Sequence, residues 1–339
     1  MSESHYSPEH PDAPARPSLF AANALYLLAA AGLVLTPRLL APLAAALLAR
    51  APDLRREVLL LGVTLIYYLF CVALPVIHYT RTRGLRAAMR LQRPLAPSAA
   101  LLSALAAALC LPLGANLTLL WEVLLARLGL ALSTEGLYIP GDTTGLLVCV
   151  LYMAMIPGIC EELAFRGLVL GAWERRGRLR ALCVSTALFA SLHGSIDGLP
   201  AHLLLGGALG LLALGSDSLY AGMIFHTFYN ALVLLTEFAA RRLNTAPEAE
   251  ALAFAADPYG YLGGAAGLAG TGLRVLLLTA LLALLLRGVW RIGVRAGVRP
   301  VQPEKGSMTW QELLVLLSGI VTALFLYGSD LIDMLKGSL

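Results

Sequence analysis

The sequence predicts an all-α membrane protein, a polytopic bundle of about eight or nine transmembrane helices. Three observations carry that prediction. Of 339 residues, 58% are hydrophobic and 14% charged, where soluble domains are usually about a quarter charged. Mean hydropathy is +0.76. Apolar runs of roughly the 20 residues that a bilayer crossing needs recur along the chain, with arginines gathered between them.

The elements follow in order. Residues 1–18, "MSESHYSPEHPDAPARPS", are polar and proline-rich, without the basic opening and apolar core of a signal peptide, and read as a disordered cytoplasmic tail. Candidate spans are 20–49 (with Pro37 and Pro42 suggesting a break), 58–79, 95–127 (broken near Pro112), 145–170, 180–198, 200–215, 219–238, 266–287 and 309–330. Basic clusters at Arg81–Arg93, Arg175–Arg180 and Arg287–Arg299 all fall on the cytoplasmic side if the N-terminus does too. The loop "STEGLYIPGDTTG" has acids and no base and belongs outside; 241–264 would also be external, although Arg241 and Arg242 suit that side less well.

The net charge of +4 therefore reads as membrane orientation, not nucleic-acid binding. Arg287, Arg291, Arg295 and Arg299 recur every four residues along one helix side, as a solvated cytoplasmic extension. Gly206 with Gly210, and Gly263 with Gly267, have the spacing that lets membrane helices approach closely. Cys71, Cys110, Cys149, Cys160 and Cys183 sit in apolar runs at irregular spacing, as small hydrophobes and not as a disulfide or metal framework.

The span "MIPGICEELAFRGLVLG" breaks the pattern. Glu161, Glu162 and Arg166 left unpaired in a bilayer would together cost on the order of 8–10 kcal/mol, at about 3 kcal/mol each. Glu162 and Arg166, four apart, can pair along one face. Glu161 points about 100° away and has no arginine on its own helix. Ionisable groups inside a span are functional candidates. The next apolar runs add "STALFASLHG", with Phe189 four residues before His193, and "AGMIFHTFYNAL", with His226 and Asn230 four apart. Glu161, His193 and Asn230 each fall in the middle half of their expected spans. His202, after Pro200 at a helix start, and His78, beside a basic loop, read as interfacial.

These three motifs, Glu161-Glu162-x-x-x-Arg166, Phe189-x-x-x-His193 and His226-x-x-x-Asn230, resemble in order those of the CAAX-protease and bacteriocin-processing (CPBP, or Abi) family of intramembrane proteases. The resemblance covers roughly residues 145–238, including the glycine-rich stretch before His226. It implies a helical membrane core with an active site open toward the cytoplasm. It also implies that Glu161 and His193 activate a water, that His226 and Asn230 steady the oxyanion, and that Glu162 and Arg166 hold the first motif in place. Glu161, His193 and His226 can alternatively be read as a two-histidine, one-carboxylate zinc set. A metal-free mechanism is preferred, because Asn230 is a poor zinc ligand and the glutamate–histidine water mechanism needs no ion.

The chain then divides into the tail (1–18), N-terminal transmembrane helices (19–144), a catalytic core (145–238), a segment of external loop, transmembrane helix and basic cytoplasmic stretch (239–305), and a C-terminal transmembrane helix (306–339) in a position to dock a partner. Other intramembrane proteases leave different marks: no histidine is followed by glutamate, Ser318-Gly319 lacks the leading glycine of GxSG, and Gly141-Asp142 has Ile139 where GxGD needs glycine. A transporter would show repeated halves with broken helices, and a non-proteolytic scaffold or immunity protein of the same fold would be expected to lack Glu161, His193 or His226. Members of the resembled family act on prenylated CAAX proteins, peptide pheromones and bacteriocin leaders, or C-terminal sorting anchors. The Ala, Leu and Arg usage resembles high-GC bacterial coding, so a peptide or membrane-anchored protein substrate is preferred, at a bacterial inner or plasma membrane. Nothing in the sequence speaks to oligomeric state.

Overall fold

A computed structural model describes residues 17–51, 55–86, 88–132, 138–243, 247–299, 301 and 307–337; all but two residues of the expected tail lie outside them. The helices in chain order are α1 (Leu19–Arg50), α2 (Arg56–Thr82), α3 (Pro97–Arg127), α4 (Thr143–Arg176), α5 (Arg178–Ser191), α6 (Leu199–Ser216), α7 (Leu219–Leu243), α8 (Pro247–Ala256), α9 (Pro258–Tyr261), α10 (Gly264–Arg295) and α11 (Trp310–Gly337). Eight of them, α1 to α4, α6, α7, α10 and α11, are long and apolar enough to cross a membrane, and no strand occurs among the described residues. The chain is an all-α polytopic bundle.

Two expectations about proline need correction. α1 runs unbroken through Pro37 and Pro42, and α3 through Pro112. A proline inside a membrane helix is tolerated where neighbouring groups satisfy the carbonyl it frees. The irregular turns fall instead in α2 and α4, as π segments at Tyr68–Ala73, Val150–Met155 and Glu162–Val169. The first two lie just ahead of Pro75 and Pro157, whose rings exclude the carbonyl four residues back.

The run 180–198 is not a full span. α5 has 14 residues, about 21 Å of helix at 1.5 Å per residue, short of a hydrocarbon core about 30 Å thick. It climbs beside α6 and returns through the loop 192–198. Arg178 Nη2 donates to Leu214 O at 2.6 Å, which ties the start of α5 to the end of α6. The loop is pinned at its far end by Trp121 Nε1 donating to Ile196 O (2.8 Å) and by Ile196 N donating to Asp330 Oδ2 (2.6 Å). Gly206 and Gly210 let α5 approach: a Cβ at Gly206 would lie 3.2 Å from Phe189 and Thr186, and one at Gly210 would lie 2.5 Å from Leu182. Gly263, by contrast, sits at the start of α10 with φ +86° and serves the turn, not helix packing.

The ends of the bundle differ in charge. At one end gather Ser18, the buried ion pair of Arg90 with Glu174 (2.5 Å), and Asp217 against Arg90 and Arg93. All three arginine clusters of the sequence lie at this end. Arg287, Arg291 and Arg295 are exposed along the last turns of α10, while Arg299 lies past the helix end. At the other end Asp142 caps α4, accepting from Gly145 N at 2.8 Å, and pairs with Arg55 at 3.0 Å. The Gly145 amide first, and Arg55 next, hold its carboxyl below the usual carboxylate range.

Candidate active site

α4 supplies the two glutamates from the junction of a short α-helical stretch, Ile156–Glu161, with the π segment that begins at Glu162. The two side chains separate there. Glu162 is fully buried, with Oε1 accepting from Arg166 Nη1 at 2.9 Å and from His226 Nδ1 at 3.1 Å. Glu161 faces a cavity of about 630 Å³ and keeps 16% of its side chain accessible. A carboxylate oxygen only accepts, so Nδ1 of His226 carries a proton and Nε2 is the nitrogen turned toward Glu161, 3.9 Å from its Oε2.

Arg166 is fully buried, and its second nitrogen Nη2 donates to Gly206 O at 3.1 Å. Its guanidinium lies 4.3 Å from the centre of the Phe189 ring, a cation–π contact worth about 2 kcal/mol where water is excluded. Phe189 in turn packs against His193 at 4.9 Å and His226 at 5.7 Å between ring centres. The spacing within each motif thus has a physical reading in this chain: Phe189 stands between a buried charge and two imidazoles. Gly222 completes the nest, since a Cβ there would sit 2.4 Å from Glu162 Oε2.

His193 follows the end of α5, and its Nδ1 lies 3.0 Å from Phe189 O. A carbonyl cannot donate, so that bond fixes the proton on Nδ1 and leaves the Nε2 lone pair free. Asn230 owes its place to Pro157. The ring of Pro157 frees Met153 O, and Asn230 Nδ2 donates to that oxygen at 3.1 Å. One amide hydrogen of Asn230 remains for another acceptor.

Glu161, His193, His226 and Asn230, from α4, the loop after α5 and α7, all line the same cavity. Glu162, Arg166 and Phe189 stand behind it. Two further wall residues were not anticipated. Tyr68, in the π segment of α2, donates its hydroxyl to Glu161 Oε1. His202 stacks on His193 with ring centres 4.0 Å apart, so it belongs to the site and not to the interface. The reason is the short α5: the helix that starts at Leu199 starts inside the bundle's depth, not at its surface.

Glu161 Oε2 is buried without a hydrogen-bond partner and faces His226 Nε2, which offers two donors. Among the described residues, however, no three of His, Cys, Asp and Glu are grouped as a metal ion requires.

Residues 143–232 match a protein-family model described as Rce1-like, type II CAAX prenyl endopeptidase Rce1-like. The match runs from α4 into α7 and contains all seven motif residues, and it falls in the CAAX-protease family that those motifs resemble. No curated protein and no solved structure matches the chain.

Proposed function

With residues 143–232 forming a core of the CAAX-protease family, we propose that this chain is an intramembrane endopeptidase that hydrolyses a peptide bond in a membrane-associated peptide or protein. The observation that carries the reading is the sorting of polar side chains. Four face one cavity, while the charges that orient them are sealed behind it at zero exposure.

In this mechanism a water sits between Glu161 and the Nε2 lone pair of His193. As the water oxygen attacks the peptide carbonyl, Glu161 takes its proton and then delivers it to the leaving nitrogen as the C–N bond breaks. Such positioned proton transfer is worth about 10²–10⁴ in rate. The oxyanion role asks His226 to carry a proton on both nitrogens, Nδ1–H on Glu162 and Nε2–H toward the developing oxyanion, and the spare amide hydrogen of Asn230 provides the second donor. Tyr68 holds Glu161 Oε1, leaving Oε2 for the water. Leu33, Val63, Leu205 and Val233 line the remaining wall and suit an apolar stretch of substrate.

No step in this scheme requires an ion. The detergent-purified chain should cleave a fluorogenic peptide and keep cleaving after a chelator and buffer exchange. Activity that dies with the chelator and returns with zinc would overturn the metal-free mechanism. Absence of cleavage across a broad peptide library, by a chain with an intact melting transition, would overturn the peptidase itself.

A further inference from the structure

The catalytic cavity has a closed end and an open end, and the arginine clusters lie beyond the closed one. Toward them the motif helices are packed solid. Leu85, Met89, Leu168, Leu209, Leu212 and Leu219 are each no more than 2% exposed. A Cβ at Gly167 would lie 2.4 Å from Met89 Cε, so α4 and the 85–90 turn touch without a gap. Arg90 then latches this end: Nη1 donates to Arg166 O at 3.2 Å, Nη2 to Glu174 at 2.5 Å, and its own carbonyl accepts from Leu219 N at 3.1 Å. Arg90 is held there at φ +55°, a backbone conformation that a non-glycine residue adopts only under surrounding constraint.

Toward the other end the walls part. α1 and α2 cross closely at one point, where Tyr67 Oη donates to Ala29 O at 3.2 Å and a Cβ on Gly32 would lie 2.4 Å from Cys71 Sγ. Beyond the crossing the cavity continues between the two helices. Leu35, Leu39, Leu43 and Leu47 are all exposed, Leu39 to 73%, and so are Val58, Leu65 and Ile66 on α2. Leu33 and Pro37 on one side and Val63 and Thr64 on the other line the cavity within this wedge. His193 is exposed in the same cavity, although it belongs to a loop pinned between α3 and α11.

We infer that substrate enters this cavity between α1 and α2 from the half of the membrane opposite the arginine clusters. By the positive-inside rule that half is the external one. The substrate class is then a polypeptide already exported and still held in the membrane by an apolar segment, which slides laterally through the wedge. This differs from the cytoplasmic opening that the motif resemblance implies. The inference rests on the peptidase reading for what the cavity does, but not for where it opens.

Thiol labelling tests it. In a chain with its five native cysteines replaced, Val63→Cys marks the wedge and Arg83→Cys marks the arginine end. A membrane-impermeant maleimide applied to intact cells should label the Val63→Cys chain and spare the Arg83→Cys chain, with the reverse in inverted vesicles. Labelling of both variants from one side overturns the inference, and so does a Val63→Cys chain that is labelled from neither side. Labelling needs no catalysis, so an inactive chain labelled from outside would sink the peptidase alone. Active enzyme labelled only in inverted vesicles would sink the route of entry alone.

Discussion

Glu161→Ala should abolish cleavage, with a rate loss of about 10²–10⁴ as expected for removal of a positioned general base. The folded state should survive. Glu161 sits on the cavity wall with one hydrogen bond from Tyr68 and an ion-pair distance of 3.9 Å to His226. Losing that bond costs about 1 kcal/mol, a small change for a bundle of this size. His193→Ala should behave alike, because in this mechanism its Nε2 holds the same water, and its ring is kept by one hydrogen bond to Phe189 O and by packing on Phe189 and His202. The check is cleavage of a fluorogenic peptide alongside a melting curve in detergent. Full activity in either variant would remove the proposed base.

Glu162→Gln should behave differently, although the residue is adjacent. Its carboxylate is the partner of both Arg166 and His226, and all three side chains are 2% exposed or less. Breaking a buried pair by neutralising one member leaves an uncompensated charge and typically costs about 3–5 kcal/mol. The variant should therefore lose thermal stability or yield as well as rate, the latter because His226 loses the carboxylate that orients its ring. A variant that loses rate alone, with an unchanged melting transition, would show that Glu162 does not hold the site together.

The contrast between neighbours was partly legible in the sequence. Three charges in an apolar run, with Glu162 and Arg166 four apart, already divide the pair into a structural member and a free one. His193, His226 and Asn230 are legible for the same reason, as polar groups on apolar helices. What the sequence hid has local causes. Hydropathy sees a run of apolar residues at 180–198 but not that α5 stops after 14 of them, so His202 looks interfacial while its ring stacks on His193. Tyr68 carries no charge and stands in an ordinary run of α2, and the π turn that aims it at Glu161 depends on Pro75 seven residues later. Prolines themselves mislead in both directions: Pro37, Pro42 and Pro112 leave their helices continuous, while Pro157 builds the site by freeing Met153 O for Asn230.

The most direct test of the water mechanism is a first turnover in ¹⁸O-enriched water, read by mass spectrometry of both product and enzyme. Attack by a water held between Glu161 and His193 places the heavy oxygen in the new carboxyl terminus at once and leaves Glu161 unlabelled. A first-turnover product carrying only light oxygen, with the label found on the peptide containing Glu161, would mean that the carboxylate itself attacks, and would contradict the account.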